Sequence, residues 1–160
     1  MKLLALDPST TKTGYALMAD RDTIIDAGLF TPKRVADKSL VRVDAMVADL
    51  RQFLKDSKPT AAVIEMPSGK MTGYNSGRGA GQAVYGVAAG RMYQVLIDWL
   101  GPDCVTAYTP TEWTRGKQQK ARQRIIKNQF AVYDVAKDKG CNVSDAIGIG
   151  LYWFSLQHGG

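Results

Sequence analysis

The sequence contains few of the residues that form disulfides or bind soft metals. Of its 160 residues, two are cysteines and one is a histidine. Cys104 and Cys141 are far apart and form no CxxC motif, so we expect both to be reduced thiols in the core, as is usual in the cytoplasm. His158 lies within the last three residues, which argues against a histidine-based catalytic triad and against a histidine-rich zinc site.

Long hydrophobic runs are also missing. The apolar run at 3–6 is too short for a signal peptide, and no run approaches the roughly 18 residues of a membrane span. The sequence has no internal repeat, no low-complexity tract and no stretch with the composition of a domain linker. These absences predict a single cytoplasmic domain over residues 1–160, with no membrane partner.

Positive charge, by contrast, is in excess. There are 21 lysines and arginines against 15 acidic residues, which gives a net charge of +6 and an isoelectric point near 9.4. Hydrophobic residues make up 45% of the chain, as is ordinary for a globular protein. The charge indicates a polyanionic partner, most often nucleic acid, although a generally basic surface is the simpler alternative.

The pattern of apolar and polar residues predicts an α/β fold. Closely joined strands form an antiparallel meander, and strands separated by a helix pair in parallel. The resulting order, βββαβαβαα, predicts one mixed sheet with helices on its faces. The predicted elements are strands at 3–7, 13–18, 23–30, 61–65 and 104–108, helices at 39–55 and 79–100, a helix in the basic segment after Gly116, and a last helix from Asn142.

Two buried strands end in an acidic residue, Asp7 after 3–6 and Glu65 after 61–64. A helix separates these strands, so they can lie parallel with both carboxylates at the same edge of the sheet, where sites form in α/β proteins. A charge that emerges from a core usually has an electrostatic partner, most simply a metal ion. The alternative for Asp7 is that it only caps the turn that follows.

Two segments have the composition of a phosphate-binding surface. The glycine-rich loop 66–78 follows Glu65 directly, and segment 115–127 is strongly basic without an acid between its charges. The loop could instead be a disordered connection, but a long glycine-rich loop beside a site is often a binding loop. The basic segment could instead be a solvated helix face, but the overall charge favours contact with phosphates. The predicted DNA contacts are Lys70, Tyr74, Arg78, Arg115, Lys117, Lys120, Arg122, Arg124 and Lys127.

Two helices carry unusual residues. Gly79, Ala83, Gly86 and Gly90 lie on one face of the helix at 79–100, which predicts that another backbone approaches this face closely. That backbone could belong to the protein's own sheet, to a second subunit or to a nucleic-acid strand, and packing within the fold is the simplest expectation. At the start of the last helix, Asn142 and an acid three residues later share a face, as in a capping box. A cap and a metal ligand are compatible there, since both uses face the helix N-terminus.

These motifs together resemble the RuvC family of Holliday junction resolvases, in the ribonuclease H-like superfamily. The resemblance spans nearly the whole chain, and it implies a five-stranded sheet in the order 3-2-1-4-5 with helices on both faces. It also implies a homodimer that nicks symmetric strands of four-way DNA junctions. The motifs are Leu6-Asp7-Pro8-Ser9, Thr13-Gly14-Tyr15, Ile64-Glu65, Gly81-Gln82 with Gly86, the basic stretch around Lys120, and Asp145-Ala146.

By this resemblance, Asp7, Glu65 and Asp145 match three metal-binding catalytic acids. Asn142 stands where the family usually has a fourth acid or a histidine, and it offers an oxygen without charge. The resemblance implies two Mg²⁺ ions per active site, with Mn²⁺ able to replace them, bound by these four residues. Lys120, also assigned to catalysis, would balance charge on the scissile phosphate or orient the attacking water.

Departures from the family pattern leave alternatives open. Asn142 is consistent with a protein that binds junctions but cuts them poorly. Met66 and Pro67 follow Glu65 where the family has a junction-opening aromatic, which is consistent with a broader branched-DNA nuclease for flaps and forks, as in some phage relatives. The stretch 7–11 also resembles a phosphate loop of the sugar-kinase and actin ATPases, but those need two lobes and this chain supplies one.

Overall fold

The structure, a computed structural model, describes residues 1–32, 38–68, 79–131 and 133–157, with residues 79–82 and 135 described by their backbone only. Five strands form one mixed sheet in the order β3-β2-β1-β4-β5, as the sequence predicts. β1 pairs antiparallel with β2 and parallel with β4, and β4 pairs parallel with β5. The strands are β1 Leu3–Asp7, β2 Thr13–Met18, β3 Ile24–Phe30, β4 Ala61–Glu65 and β5 Val105–Tyr108.

The helices follow the predicted order with one addition. The segment before the basic stretch contains a short helix, which begins with a capping box between Thr109 and Glu112 and has Pro110 at its first position. Within the described residues, no helix is long and apolar enough to cross a membrane. The helices are α1 Ser39–Ser57, α2 Gly79–Leu100, α3 Pro110–Thr114, α4 Gln119–Gln129 and α5 Asn142–Gln157.

The sheet separates two hydrophobic cores, because alternate residues of a strand point to opposite faces. Leu4 and Leu6 of β1 belong to the core that α1 and α2 cover. Leu3 and Ala5 belong to the core that α5 covers, together with residues of α3 and α4. The three layers therefore bury β1 on both faces, and Asp7 continues the series that faces α5.

Two expectations about packing are wrong. Cys104 is exposed at the end of a 3₁₀ turn, whereas Cys141 is buried as predicted. Among the residues that the structure describes, no backbone packs against the small-residue face of α2 at Gly86 and Gly90, since a Cβ added at either position would meet no atom within 4 Å. Ala83, on the same face, is exposed.

Candidate active site

Asp7 and Glu65 lie side by side at one edge of the sheet. Leu6 of β1 pairs with Ile64 of β4 in parallel register, and each strand then ends in its acid. Val63 points into the core under α5, so Glu65, two residues further, points to that same face. The strand pairing and the two-residue period together bring both carboxylates to the α5 side of the sheet.

Gly14 allows the third acid to approach. It pairs with Asp7 across β1 and β2, and a Cβ at this position would overlap the backbone carbonyl of Asn142 and lie 3.0 Å from the backbone nitrogen of Val143. The first turn of α5 can therefore lie directly on β2. Asp145, in that turn, is 7% exposed.

The acids raise one another's affinity for protons. Burial raises the pKa of Asp7 well above its usual range, and the negative charges of Glu65 and Asp145 raise it further. Burial also raises the pKa values of Glu65 and Asp145, although hydrogen bonds oppose this effect at both. Among the residues that the structure describes, no group donates a hydrogen bond to the Asp7 carboxylate. A cation at this edge of the sheet would relieve that repulsion.

Glu65 is held by two aromatic donors. The Tyr85 hydroxyl donates to Oε1 at 2.8 Å, and Nε1 of Trp113 donates to Oε2 at 2.6 Å. Neither aromatic is among the predicted site residues. The pattern Thr109-Pro110-Thr111-Glu112 indicates the start of α3 and could have placed Trp113, but no local signal predicts its contact with Glu65.

Asp145 is paired with Arg122. Nη2 of Arg122 lies 3.0 Å from Oδ1 and 3.1 Å from Oδ2, and Nε lies 3.2 Å from Oδ1. Nη1 donates to the Lys117 carbonyl at 2.6 Å, and the guanidinium lies over the Trp113 ring at 4.7 Å. Gln119 also donates to Oδ2, at 3.3 Å. Arg122, predicted to contact DNA, instead points inward here to neutralise an acid.

The cap of α5 is Asp138, so the prediction that Asn142 caps this helix is wrong. Asp138 is 2% exposed and accepts hydrogen bonds from the backbone N–H groups of Val143, at 3.1 Å, and Ser144, at 2.9 Å. The Tyr133 hydroxyl donates to it at 2.5 Å. The helix begins at Asn142, whose Nδ2 donates to the Lys12 carbonyl at 3.1 Å. The amide oxygen of Asn142 is thus oriented but does not accept the helix N–H groups.

The other predicted DNA contacts that are described are exposed. The guanidinium of Arg115 lies 5.0 Å from the centre of the Tyr152 ring. A groove of about 260 Å³ runs along α5, and the charged residues that line it are all basic, including Arg21, which was not among the predicted residues. Lys70, Tyr74 and Arg78 lie outside the described residues. The exposed basic residues are Arg115, Lys117, Lys120, Arg124 and Lys127.

The oxygen atoms of Asp7, Glu65, Asp145 and Asn142 suit a hard cation, but these side chains are not arranged around a common point. Carboxylate and amide oxygens are the ligands that Mg²⁺ prefers. In the described part of the chain, however, no three acidic, histidine or cysteine side chains are placed closely enough to hold a metal ion. Glu65 and Asp145 are each bound by protein donors instead. Metal binding at Asp7, Glu65, Asp145 and Asn142 would therefore require some of these hydrogen bonds to break.

No protein-family model matches this chain. No curated protein is significantly similar to it in sequence. Solved structures do resemble it. Thermus thermophilus RuvC in complex with a Holliday junction substrate superposes with a TM-score of 0.74 at 17% identity, covering 99% of this chain and 96% of that one.

A second Thermus thermophilus RuvC structure gives a TM-score of 0.71 at 16% identity, over 99% of this chain and 97% of that chain. The yeast mitochondrial Holliday junction resolvase gives 0.60 at 11% identity, over 97% of this chain and 79% of that chain. At these identities the likeness concerns the fold. This chain has the fold of the RuvC resolvases over nearly its whole length.

Proposed function

We propose that this protein is a metal-dependent endonuclease that nicks symmetric strands of four-way DNA junctions. The observation that carries the proposal is that Asp7, Glu65 and Asp145 converge at one edge of the sheet, near enough for Glu65 and Asp145 to raise the pKa of Asp7, although the described side chains are not placed to hold a metal ion as they stand. Three acids that repel one another in a partly buried site lower the stability of the fold, and such clusters are typical of functional sites. The fold adds support, since a protein of the same fold was solved with a Holliday junction substrate.

The residues around the acids suit phosphodiester hydrolysis. Two Mg²⁺ ions, replaceable by Mn²⁺, would be held by Asp7, Glu65, Asp145 and the amide oxygen of Asn142, and would supply an activated water and a stabilised leaving oxygen. Tyr85 and Trp113 keep Glu65 in a fixed orientation. Lys120, exposed at the start of α4, would balance charge on the scissile phosphate.

The exposed basic residues would bind the phosphate backbone of the branched DNA. Arg115, Lys117, Lys120, Arg124 and Lys127 would give this binding a strong salt dependence. Arg122 would join them only after it leaves Asp145. The same DNA-binding role is proposed for Lys70, Tyr74 and Arg78.

A homodimer would supply two active sites for the two symmetric strands. The support for a homodimer comes from two features of helices α1 and α2, which cover one face of the sheet. The open face around Gly86 and Gly90 leaves room for a second backbone. These helices also carry large exposed apolar residues, which are Leu40, Val41, Val87 and Trp99.

A junction-binding protein with weak catalysis is the second candidate. Asn142 brings no charge to the site, and Arg122 already neutralises Asp145. Both features lower the attraction of the site for divalent ions. The recognition surface would be unaffected.

Nicking of labelled DNA separates these candidates. Wild type, Asn142→Asp and Asp7→Asn would be assayed on a four-way junction, a fork, a flap and a linear duplex, with Mg²⁺ or Mn²⁺. The proposal expects wild type to cut the junction and spare the duplex, and Asp7→Asn to bind the junction without cutting it. Cutting by Asn142→Asp alone would favour the weakened enzyme. Efficient cutting of forks and flaps would favour a broader branched-DNA nuclease.

A further inference from the structure

Arg122 is the cation that pairs with the acid cluster. Within the described ranges, the three ion pairs are Arg122–Asp145, Arg91–Asp44 and Lys137–Asp134, and only the first involves an acid of the candidate site. Its two side chains are 15% and 10% exposed, so the pair is largely shielded from water. We propose that Arg122 is an internal counter-cation that neutralises Asp145 in the metal-free protein and must leave this carboxylate before a metal ion binds there.

Competition between Arg122 and a metal ion follows from the hydrogen bonds. Both carboxylate oxygens of Asp145 accept from the guanidinium, at 3.0 and 3.1 Å from Nη2. A divalent ion bound by either oxygen would lie against an existing positive charge, and like charges at such distances repel strongly in a partly buried site. The metal and the guanidinium therefore cannot both bind Asp145 as Arg122 now does.

The counter-cation is also built into the site beyond Asp145. The Lys117 carbonyl accepts from Nη1 at 2.6 Å, and the Trp113 ring lies under the guanidinium. The same indole donates to Glu65 at 2.6 Å. Arg122 and Trp113 thus connect two of the proposed metal ligands, Asp145 and Glu65. Displacement of Arg122 would therefore remove a contact of the Trp113 ring that donates to Glu65.

This inference rests on the proposed metal-dependent function, but its test does not use nicking. Mn²⁺ binding to the protein alone would be titrated by electron paramagnetic resonance for wild type and Arg122→Gln. We expect the variant to bind Mn²⁺ about tenfold more tightly, within the range by which outer partners change metal affinity. It should also unfold at a lower temperature without metal and gain more in Tm when Mn²⁺ is added.

Arg91→Gln is the matched control. It also removes one arginine–aspartate ion pair, with Asp44, but this pair is about half exposed and joins α2 to α1 away from the acids. Its Mn²⁺ affinity should equal that of wild type. A similar gain in Arg91→Gln would overturn the inference, because it would show a general effect of lost positive charge.

The outcomes distinguish this inference from the proposed function. Equal Mn²⁺ affinity in wild type and Arg122→Gln would overturn the counter-cation role and leave the nuclease in place. Absence of Mn²⁺ binding by both proteins would overturn the inference and the metal mechanism together. The proposed recognition of four-way junctions would then be tested separately, by measuring junction binding without metal.

A measurement on wild type covers the case in which Arg122→Gln does not fold. The Nε–H signal of Arg122 in a ¹⁵N spectrum should exchange slowly with solvent without metal and quickly once Mg²⁺ is bound. An Nε–H signal that stays protected when Mg²⁺ binds would overturn the inference.

Discussion

Asp7 carries a free-energy cost in the metal-free protein. Burial and the negative charges of Glu65, Asp145 and Asp138 raise its pKa well above the usual range. A carboxyl group with a raised pKa binds its proton more tightly when folded than when unfolded. Its contribution to stability is therefore complete below the unfolded pKa and is lost as the pH rises through the folded pKa.

Asp7→Asn should therefore stabilise the protein while it removes activity. We expect a gain of about 1 kcal/mol at pH 8 with EDTA, or about 3 °C in Tm, and a smaller gain at pH 4, because the raised pKa increasingly favours the protonated carboxyl group in the folded protein as the pH falls. Thermal unfolding at the two pH values measures both. Asp44→Asn, at an exposed acid, is the control. A lower Tm for Asp7→Asn at pH 8 would contradict the electrostatic account.

Gly14 determines how closely α5 approaches the sheet. Gly14→Ala should destabilise the protein by about 3 kcal/mol, because the new Cβ would overlap the backbone at Asn142 and neither backbone can move aside cheaply. Urea unfolding measures the loss. Gly86→Ala, where the Cβ would meet open space, should instead stabilise the helix by up to about 1 kcal/mol. Equal effects of the two variants would show that α5 does not lie against β2.

At the scale of the secondary-structure elements, α5 depends on Asp138 for its start. Asp138→Ala would leave the N–H groups of Val143 and Ser144 and the buried Tyr133 hydroxyl without their acceptor. We expect a loss of about 2–3 kcal/mol in the free energy of unfolding. Asp49→Ala, at an exposed acid in the middle of α1, should change it by less than about 0.5 kcal/mol. A small effect of Asp138→Ala would mean that water satisfies these groups.

The patterns in the sequence predicted which segments are helices better than they predicted what packs against each helix. The glycines of α2 were expected, most simply, to mark packing inside the fold, yet a Cβ at Gly86 or Gly90 would meet no described residue within 4 Å. The basic segment after Gly116 was predicted to be helical without a defined end, and α4 ends at Gln129, where Phe130 follows with an extended backbone and a buried ring. Periodicity indicates which side of a helix is apolar or small, but not what will cover it.

At the scale of the whole molecule, the positive charge should govern DNA affinity. The net charge is +6, and Arg124 and Lys127 are exposed on α4. Changing either residue to glutamine should weaken junction binding and reduce the slope of log K against log[salt] by about 1. Binding titrations at several salt concentrations measure this slope. Lys55→Gln is the control, because the end of α1 leads into the start of β4, at the sheet edge opposite Glu65. The same reduction for Lys55→Gln would indicate binding without a defined surface.

The sheet and the positions of two of the three acids follow from local patterns in the sequence. Apolar runs and their separations encode strands, their directions and their faces, because the two-residue period of a strand and the length of a crossover are local properties. Asp7 and Glu65 therefore lie together as soon as β1 and β4 pair in parallel. The five-stranded order implied by the family resemblance is also the order observed.

The side chains that surround the three acids depend on contacts between elements that are distant in the sequence. Arg122 could have faced solvent or DNA, and it pairs with Asp145 because α4 packs beside α5. Asp138 rather than Asn142 caps α5, and Trp113 of α3 reaches Glu65 on β4. Each of these pairs forms between elements that are distant in the sequence, where several groups could have made the same contact. The local pattern of apolar and polar residues does not show which of them makes it.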